Sequence, residues 1–275
     1  MKNKKPHLSA SQIDMYCRCG EQYRRRYIER EILPPGIALV QGVAVHDGSA
    51  FNFSQKIKSH ADLKSGIIEE KAIDALEQKI KAEGLELSSE DEKAKGKQGV
   101  IDQAKENVAK FIGLYSTELA PKYQPTLVEE WQTIQMPSAP YDILGRLDLV
   151  DDQKRIIDLK TAGKSKQQSD ADNSVQLSIY AASMKIKTGE YPAEMRLEIL
   201  VNKETPELQT LSTHRTIDDM VALKNRINAV IKGVTSEVFT PAIPGSWWCS
   251  ARFCGYWQTC PFINSKSGGS KNEIV

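Results

Sequence analysis

The chain has 275 residues, 40% of them apolar and 27% charged, which suffices for a sizeable core and excludes a wholly disordered chain. Lys plus Arg number 37 against 36 Asp plus Glu, a net charge of +1, so a uniformly basic nucleic-acid coat is excluded while a local basic face is not. The longest weakly polar stretch, Gly36 to Val45, is far too short to span a bilayer, and the start, MKNKKPHLSAS, lacks the apolar segment of a secretory signal. No membrane association and a cytoplasmic location are therefore expected.

Taken in order, residues 1–30 are basic, with eight Lys/Arg against three acids. Ser9 or Ser11 is placed to cap a helix from about Gln12 to Glu29, since a small hydroxyl accepts an orphan backbone N–H there. Pro34-Pro35-Gly36 should end it. A second helix is expected from Gly42 to about Lys58. Residues 66–83 and 98–119 carry apolar residues three and four apart, the mark of amphipathic helices. The polar SSEDEKAKGKQG between them reads as a mobile loop.

After Pro121 the pattern changes. Strands are expected at Thr126–Met136, Ile143–Val150 and Arg155–Thr161, the last two joined by the polar turn Asp151-Asp152-Gln153-Lys154. A helix over Ser174–Lys187, a strand over Glu194–Asn202 and a short return at Glu207–Ser212 follow. Thr216-x-x-Asp219 opens a last helix to about Val230 in the manner of a capping box. Helices, then strands, then helices argue for a single α/β domain over residues 1–264. A helical insertion at about 50–120 and a tail over 265–275 complete the outline.

The chemistry concentrates in the centre. Strand side chains alternate, so Asp158 and Lys160 share a face in Arg155-Ile156-Ile157-Asp158-Leu159-Lys160-Thr161. A hairpin with Gly145-Arg146-Leu147-Asp148 would bring Asp148 beside Asp158. Two carboxylates can hold Mg²⁺ or Mn²⁺, such an ion promotes phosphodiester hydrolysis, and a nearby lysine orients water or offsets developing charge. Read alone, an Asp-x-Lys pair is more often a cross-strand salt bridge. Gln176 and Tyr180, four apart on the next helix, share a face and can hydrogen-bond a phosphate or a water. His46 follows Gly42 and has the imidazole that suits Mn²⁺ better than Mg²⁺.

These residues recur in a known order: Leu8-Ser9-Ala10-Ser11-Gln12-Ile13, Tyr16, Cys19 and Tyr23, then Gly42 and His46, Gly145-x-x-Asp148, Asp158-Leu159-Lys160-Thr161, and Gln176-x-x-x-Tyr180. The chain resembles the PD-(D/E)xK nuclease superfamily. More narrowly, it is similar to RecB-like and CRISPR-associated exonucleases that carry an iron–sulfur cluster, over roughly residues 8–50 and 125–262. The resemblance implies a restriction-endonuclease-like core, a central mixed sheet flanked by helices, and metal-dependent DNA cleavage. It also implies that His46, Asp148, Asp158 and the Leu159 carbonyl ligate the metal, that Lys160 positions the attacking water, and that Gln176 and Tyr180 support the site. Glu129 and Glu130 would stand behind it.

Five cysteines are present, Cys17 and Cys19 near the start and Cys249, Cys254 and Cys260 near the end. Three cysteines within twelve aromatic-rich residues form a ligand set that lacks a fourth, and Cys19 can supply it. Four thiolates suit zinc or an iron–sulfur cluster, and spacing alone does not choose. The resemblance favours a 4Fe–4S cluster held by Cys19, Cys249, Cys254 and Cys260, with Cys17 a spare. The four-residue gap after Cys249 departs from the two residues often found in relatives.

Arg24-Arg25-Arg26 between Tyr23 and Tyr27 is either a DNA-contacting tract or a solvated helix face. Residues 61–110 carry a net charge of −3 and are a poor DNA groove, better suited to a lid, spacer or partner surface. The expected function is a metal-dependent DNA exonuclease or end-processing nuclease of recombination, repair or mobile-element DNA metabolism. Its partners would be single-stranded or duplex DNA ends, with a recombination, helicase or CRISPR-integrase protein. The alternatives are a non-catalytic DNA-binding or recombination-partner module with a structural iron–sulfur or zinc site, and an interaction protein unrelated to cleavage. The last would be favoured by Asp158-Leu159-Lys160 lying outside a strand.

Overall fold

The computed structural model describes residues 5–87, 89–243 and 245–263, with only the backbone of 89–91. The expected tail, 265–275, lies outside the described residues. The chain forms two compact units, one of residues up to Ala10 with Pro34–Ile227, the other of Ser11–Leu33 with residues from Asn228 on.

The first unit is built on a mixed six-stranded sheet: β1 (His7–Leu8), β2 (Pro125–Ile134), β3 (Asp142–Asp151), β4 (Arg155–Ala162), β5 (Glu194–Val201) and β6 (Glu207–Thr213). The spatial order is β1-β3-β4-β5-β6, with β2 antiparallel on β3. β4 and β5 run parallel, in register from Arg155↔Glu194 to Ala162↔Val201. A parallel pair needs a crossover, and the segment between them supplies it as α6 (Gln168–Asp172) and α7 (Val175–Thr188).

Local chemistry sets the boundaries. Asp151 Oδ1 accepts the N–H groups of Gln153 and Arg155 at 3.1 and 2.9 Å, building the expected turn from β3 into β4. Ser174 Oγ accepts the Leu177 N–H at 3.2 Å and so starts α7. The capping box of α8 (Ile217–Thr235) is present, with Thr216 N–H donating to Asp219 Oδ2 and Asp219 N–H to Thr216 Oγ1.

One side of the sheet is covered by α3 (Ile37–Ser59), α4 (Ser65–Glu83) and α5 (Ser89–Leu114). Val40, Ala44, Val45, Ile68, Leu76, Val108 and Ile112 from these helices pack with Leu149, Ile157, Leu159 and Leu200 of the strands in one buried cluster. Burying each such side chain contributes roughly 1.5–3 kcal/mol. Residues 61–110 thus give Ile68, Ala72, Leu76, Ala104 and Val108 to the core, while most of their other described residues are exposed or half-buried. The loop expected over residues 88–99 is helical from Ser89, broken at Gly96 where φ is +63°. Charged residues at one-residue spacing hid a helix whose apolar face begins only at Val100.

In the second unit the helix expected from Gln12 to Glu29 is interrupted. α1 (Ala10–Arg18) stops at Cys19, which is extended (φ −161°, ψ 102°), and the chain resumes as α2 (Gly20–Tyr23) and a π-helical turn over Arg24–Ile28. Gly20 makes the interruption workable: its N–H donates to the Thr240 carbonyl at 2.7 Å, and a Cβ there would meet Thr240 N at 2.7 Å. Tyr16, Tyr23 and Phe239 pack ring against ring at 5.5–6.3 Å.

Candidate active site

β4 is an Ile- and Leu-rich strand that carries Asp158 fully buried. That strand placement removes the ground for an interaction protein unrelated to cleavage. Asp158 Oδ2 lies 2.7 Å from Lys160 Nζ. Lys160 Nζ donates to Gln176 Oε1 at 3.0 Å, Gln176 Nε2 donates to Tyr180 OH at 2.5 Å, and Tyr180 OH donates to the Arg146 carbonyl. The relay runs from β4 through α7 to β3. Gly145 permits it, because a Cβ at that position would stand 3.1 Å from Tyr180 Cε1.

β3 and β4 pair only at Leu149↔Ile157 and Val150↔Ile156. Beyond them the strands part, and Asp148 Oδ2 takes the Leu159 N–H at 3.0 Å in place of a backbone acceptor. His46, on α3, brings Nδ1 to 3.5 Å from the same Oδ2, and the Leu159 carbonyl favours its protonated form. The ligand atoms of His46, Glu129 and Asp148 all lie within 4.8 Å of one another.

Glu129 is the larger surprise of the two upstream acids. It sits in β2 with φ +53°, a left-handed conformation that costs a non-glycine residue on the order of 1–3 kcal/mol and tends to occur at functional sites. Arg146 Nε pairs with its Oε2. Glu130 instead pairs with Lys187 at 2.5 Å and stays outside the set. The sequence offered adjacent acids and no way to choose between them, since the choice rests on a backbone angle.

The electrostatics are those of an anionic cluster removed from water. Burial pushes Asp158 up to about 6, with Asp148 adding to the shift and Lys160 opposing it. Burial pushes Glu129 up to about 7, again reinforced by Asp148. Asp148 is raised by burial against the pull of Lys160. His46 is lowered by burial and by Lys160. Burial alone would lower Lys160, but Asp158 and Asp148 outweigh it and hold it cationic. Asp158 Oδ1 is buried with no hydrogen-bond donor. An orphaned carboxylate oxygen, three further acid or imidazole ligands and a hard-oxygen donor set fit a divalent cation.

The family model described as the PD-(D/E)XK nuclease superfamily matches residues 7–261. The chain belongs to the PD-(D/E)XK nuclease superfamily. A crystal structure named "Putative exonuclease" from Eubacterium rectale is similar to this nuclease at 14% identity and a TM-score of 0.54, covering 98% of this chain and 91% of the other; a likeness at that identity speaks for the fold. The structure of SSO0001 is similar at 13% identity and a TM-score of 0.46, over 95% and 88% of the two chains. No curated protein matches the sequence. Among the described residues no helix is long and apolar enough to cross a membrane.

A second constellation lies in the other unit of this nuclease. Cys19, Cys249, Cys254 and Cys260 line one cavity of about 630 Å³ with Trp247, Trp248 and Trp257. None of the five cysteines is in a disulfide, and Cys17 is exposed. Burial and the neighbouring cysteines raise the Cys249 and Cys254 thiols, so a bound cation would favour the thiolate form of these two. Tetrahedral zinc with Zn–S near 2.3 Å would hold sulfurs about 3.8 Å apart. Among the described residues no three cysteine sulfurs lie within 4.8 Å of one another.

The basic tract beside this cavity is largely committed. Arg24 pairs with Glu21 and Glu29. Arg25 is buried, pairs with Glu31 at 2.6 Å and stacks on Tyr256. Arg25 is thereby held inside the fold, while Arg24 stays partly exposed beside its two glutamates, on a solvated face of the helix.

Proposed function

We propose that the chain is a Mg²⁺- or Mn²⁺-dependent deoxyribonuclease that acts as an exonuclease on DNA ends, in the cytoplasm, in recombination, repair or mobile-element DNA metabolism. The observation that carries this reading is the convergence of His46, Glu129 and Asp148, with Asp148 bound to the Leu159 backbone, in the same site as the buried Asp158–Lys160 pair. His46, Asp148, Asp158 and the Leu159 carbonyl would hold the ion, with Glu129 beside them. The bound ion supplies Lewis-acid charge to the phosphate and the attacking water.

The chain's own groups do the rest. Lys160 stays protonated, so it acts as a donor rather than a base. Held by Asp158 and Gln176, its ammonium orients the attacking water and offsets charge on the phosphate. Tyr180 fixes Gln176, and through it the angle at which Lys160 enters the site. The exonuclease name of the Eubacterium rectale protein agrees with this reading.

We assign Cys19, Cys249, Cys254 and Cys260 to a 4Fe–4S cluster rather than zinc, on the cavity that all four line and on the resemblance in placing one cysteine near the start and three near the end. The cluster would be structural and take no part in hydrolysis. The partners are DNA, with a helicase, recombination or integrase protein as the class of protein partner.

The test is cleavage of end-labelled single- and double-stranded DNA by anaerobically purified protein, in Mn²⁺, Mg²⁺ or EDTA, beside Lys160→Ala. Cleavage with either metal that is lost in EDTA and in the variant supports the nuclease reading, and the label gives polarity. A folded preparation with its cluster intact that does not cleave overturns it in favour of a DNA-binding partner module.

A further inference from the structure

Trp131 stands out among the exposed residues of the first unit. It is 61% exposed on β2, which pairs only with β3 among the described residues. A lone exposed aromatic carries little meaning by itself. This one is joined to the active-site acids by an unbroken chain of contacts. Arg146, its register partner on β3, sets its guanidinium 5.7 Å from the indole centroid. The same guanidinium pairs through Nε with Glu129 Oε2, and Glu129 lies within 4.8 Å of the Asp148 and His46 ligand atoms. Indole, guanidinium and carboxylate are thus consecutive, and the Arg146 side chain remains 43% exposed.

Each part suits one piece of a nucleotide. An indole face stacks on any nucleobase that is free of its complement, at roughly 1–3 kcal/mol per base. A guanidinium beside it binds the negative phosphate that follows the base. A base inside a duplex is already stacked and paired, so it cannot use the indole without being pulled out.

We propose that Trp131 and Arg146 form a subsite for one unpaired nucleotide next to the scissile phosphate, with the base stacked on Trp131. This deepens the nuclease reading and rests on it. The subsite makes the enzyme prefer a single strand or a frayed end, and it sets register by holding one base at a fixed distance from the Asp158–Lys160 pair. Trp131 is then a positioning residue.

The test compares wild type, Trp131→Ala and Trp131→Phe in the full-length protein with its cluster intact. Steady-state cleavage is measured in Mn²⁺ on a single-stranded oligonucleotide, on blunt duplex, and on single strands that carry one abasic position at successive sites. The expected result is a rise in KM of roughly 10-fold for Trp131→Ala on the single strand, with kcat nearly unchanged and Trp131→Phe restoring most of the loss. One abasic position should weaken wild type by a similar factor and leave Trp131→Ala unaffected.

An equal loss on blunt duplex, or an abasic penalty that persists in Trp131→Ala, means that the indole only shields the Arg146–Glu129 pair, and overturns the subsite. Unchanged KM in Trp131→Ala also overturns it and gives the patch to another occupant. Absence of cleavage by wild type overturns the nuclease reading and the subsite together, and so is distinct from the other failures.

Discussion

Asp148 Oδ2 accepts the Leu159 N–H at 3.0 Å, so a side chain of β3 stands where the next backbone carbonyl of the ladder would be. The two strands part at that point, and the gap between them is where His46 and Glu129 approach. The carboxylate both ends the pairing and provides the ligand oxygen.

Replacing that carboxylate separates the two tasks. Asp148→Asn keeps an oxygen to accept the Leu159 N–H and loses the charge. It should melt within a few degrees of wild type and cleave DNA more slowly by over roughly 100-fold, since even outer partners of metal ligands are worth 10–100-fold. Initial rates on labelled DNA in Mn²⁺, beside a thermal melt, check this. A variant that cleaves at the wild-type rate would remove Asp148 from the ligand set.

The acidic cluster predicts a pH-dependent stability. Glu129, at about 7 in the folded chain, lies above its ordinary value of 4.5. Its contribution to stability is therefore full below pH 4.5 and lost as pH rises through 7. Asp158, at about 6, acts in the same direction, while His46, lowered by burial, acts oppositely below 6.5. Comparing wild type with Glu129→Gln isolates the glutamate. In EDTA the wild-type melting temperature should fall relative to the variant between pH 5 and pH 8 by about 5 °C, from about 2 kcal/mol after solvent screening. Mn²⁺ should restore it at pH 8 and do little at pH 5.

Gly145 predicts an effect that travels through Tyr180. A Cβ there stands 3.1 Å from Tyr180 Cε1 and 3.5 Å from Ile179 Cγ2, so the ring must yield by a few tenths of an ångström. Gly145→Ala should cost about 1 kcal/mol of stability and reduce kcat about 10-fold, by shifting Gln176 and the Lys160 ammonium. Tyr180→Phe, which removes the hydroxyl that Gln176 and Arg146 share, should lower kcat similarly without the loss of stability. Equal kcat in all three proteins would leave Tyr180 a purely structural residue.

The cysteines predict a contrast between near neighbours. Cys17 is exposed and Cys19 lines the cavity. Iron and acid-labile sulfide content should be unchanged in Cys17→Ala and fall sharply in Cys19→Ala. Gly20→Ala should behave like Cys19→Ala, because its Cβ would meet the Thr240 backbone at 2.7 Å and displace the segment that carries Cys19. Zinc in stoichiometric amount in the anaerobic protein, with no iron, would reverse the choice of metal.

Much of this protein is legible in its sequence, where the determining interactions are local. The strand periods of Ile143–Val150 and Arg155–Thr161, the Asp151 turn, the Thr216–Asp219 capping box and the pairing of Asp158 with Lys160 depend on residues a few positions apart, and all are present. The order of His46, Asp148, Asp158, Lys160, Gln176 and Tyr180 along the chain points to the family without any contact being known. Other features needed the tertiary structure. Glu129 joins the acids and Glu130 does not because of one left-handed backbone angle and one lysine 57 positions away. Arg25 is tied to Tyr256, 231 positions away, where its run of arginines suggested an open basic surface. The helix break at Cys19 follows from a Gly20–Thr240 contact, and Trp131 gains its meaning from Arg146 and Glu129 across two strands. Local propensity and spacing are properties of the chain, while burial, charge pairing and close backbone approach come into being only when distant segments meet.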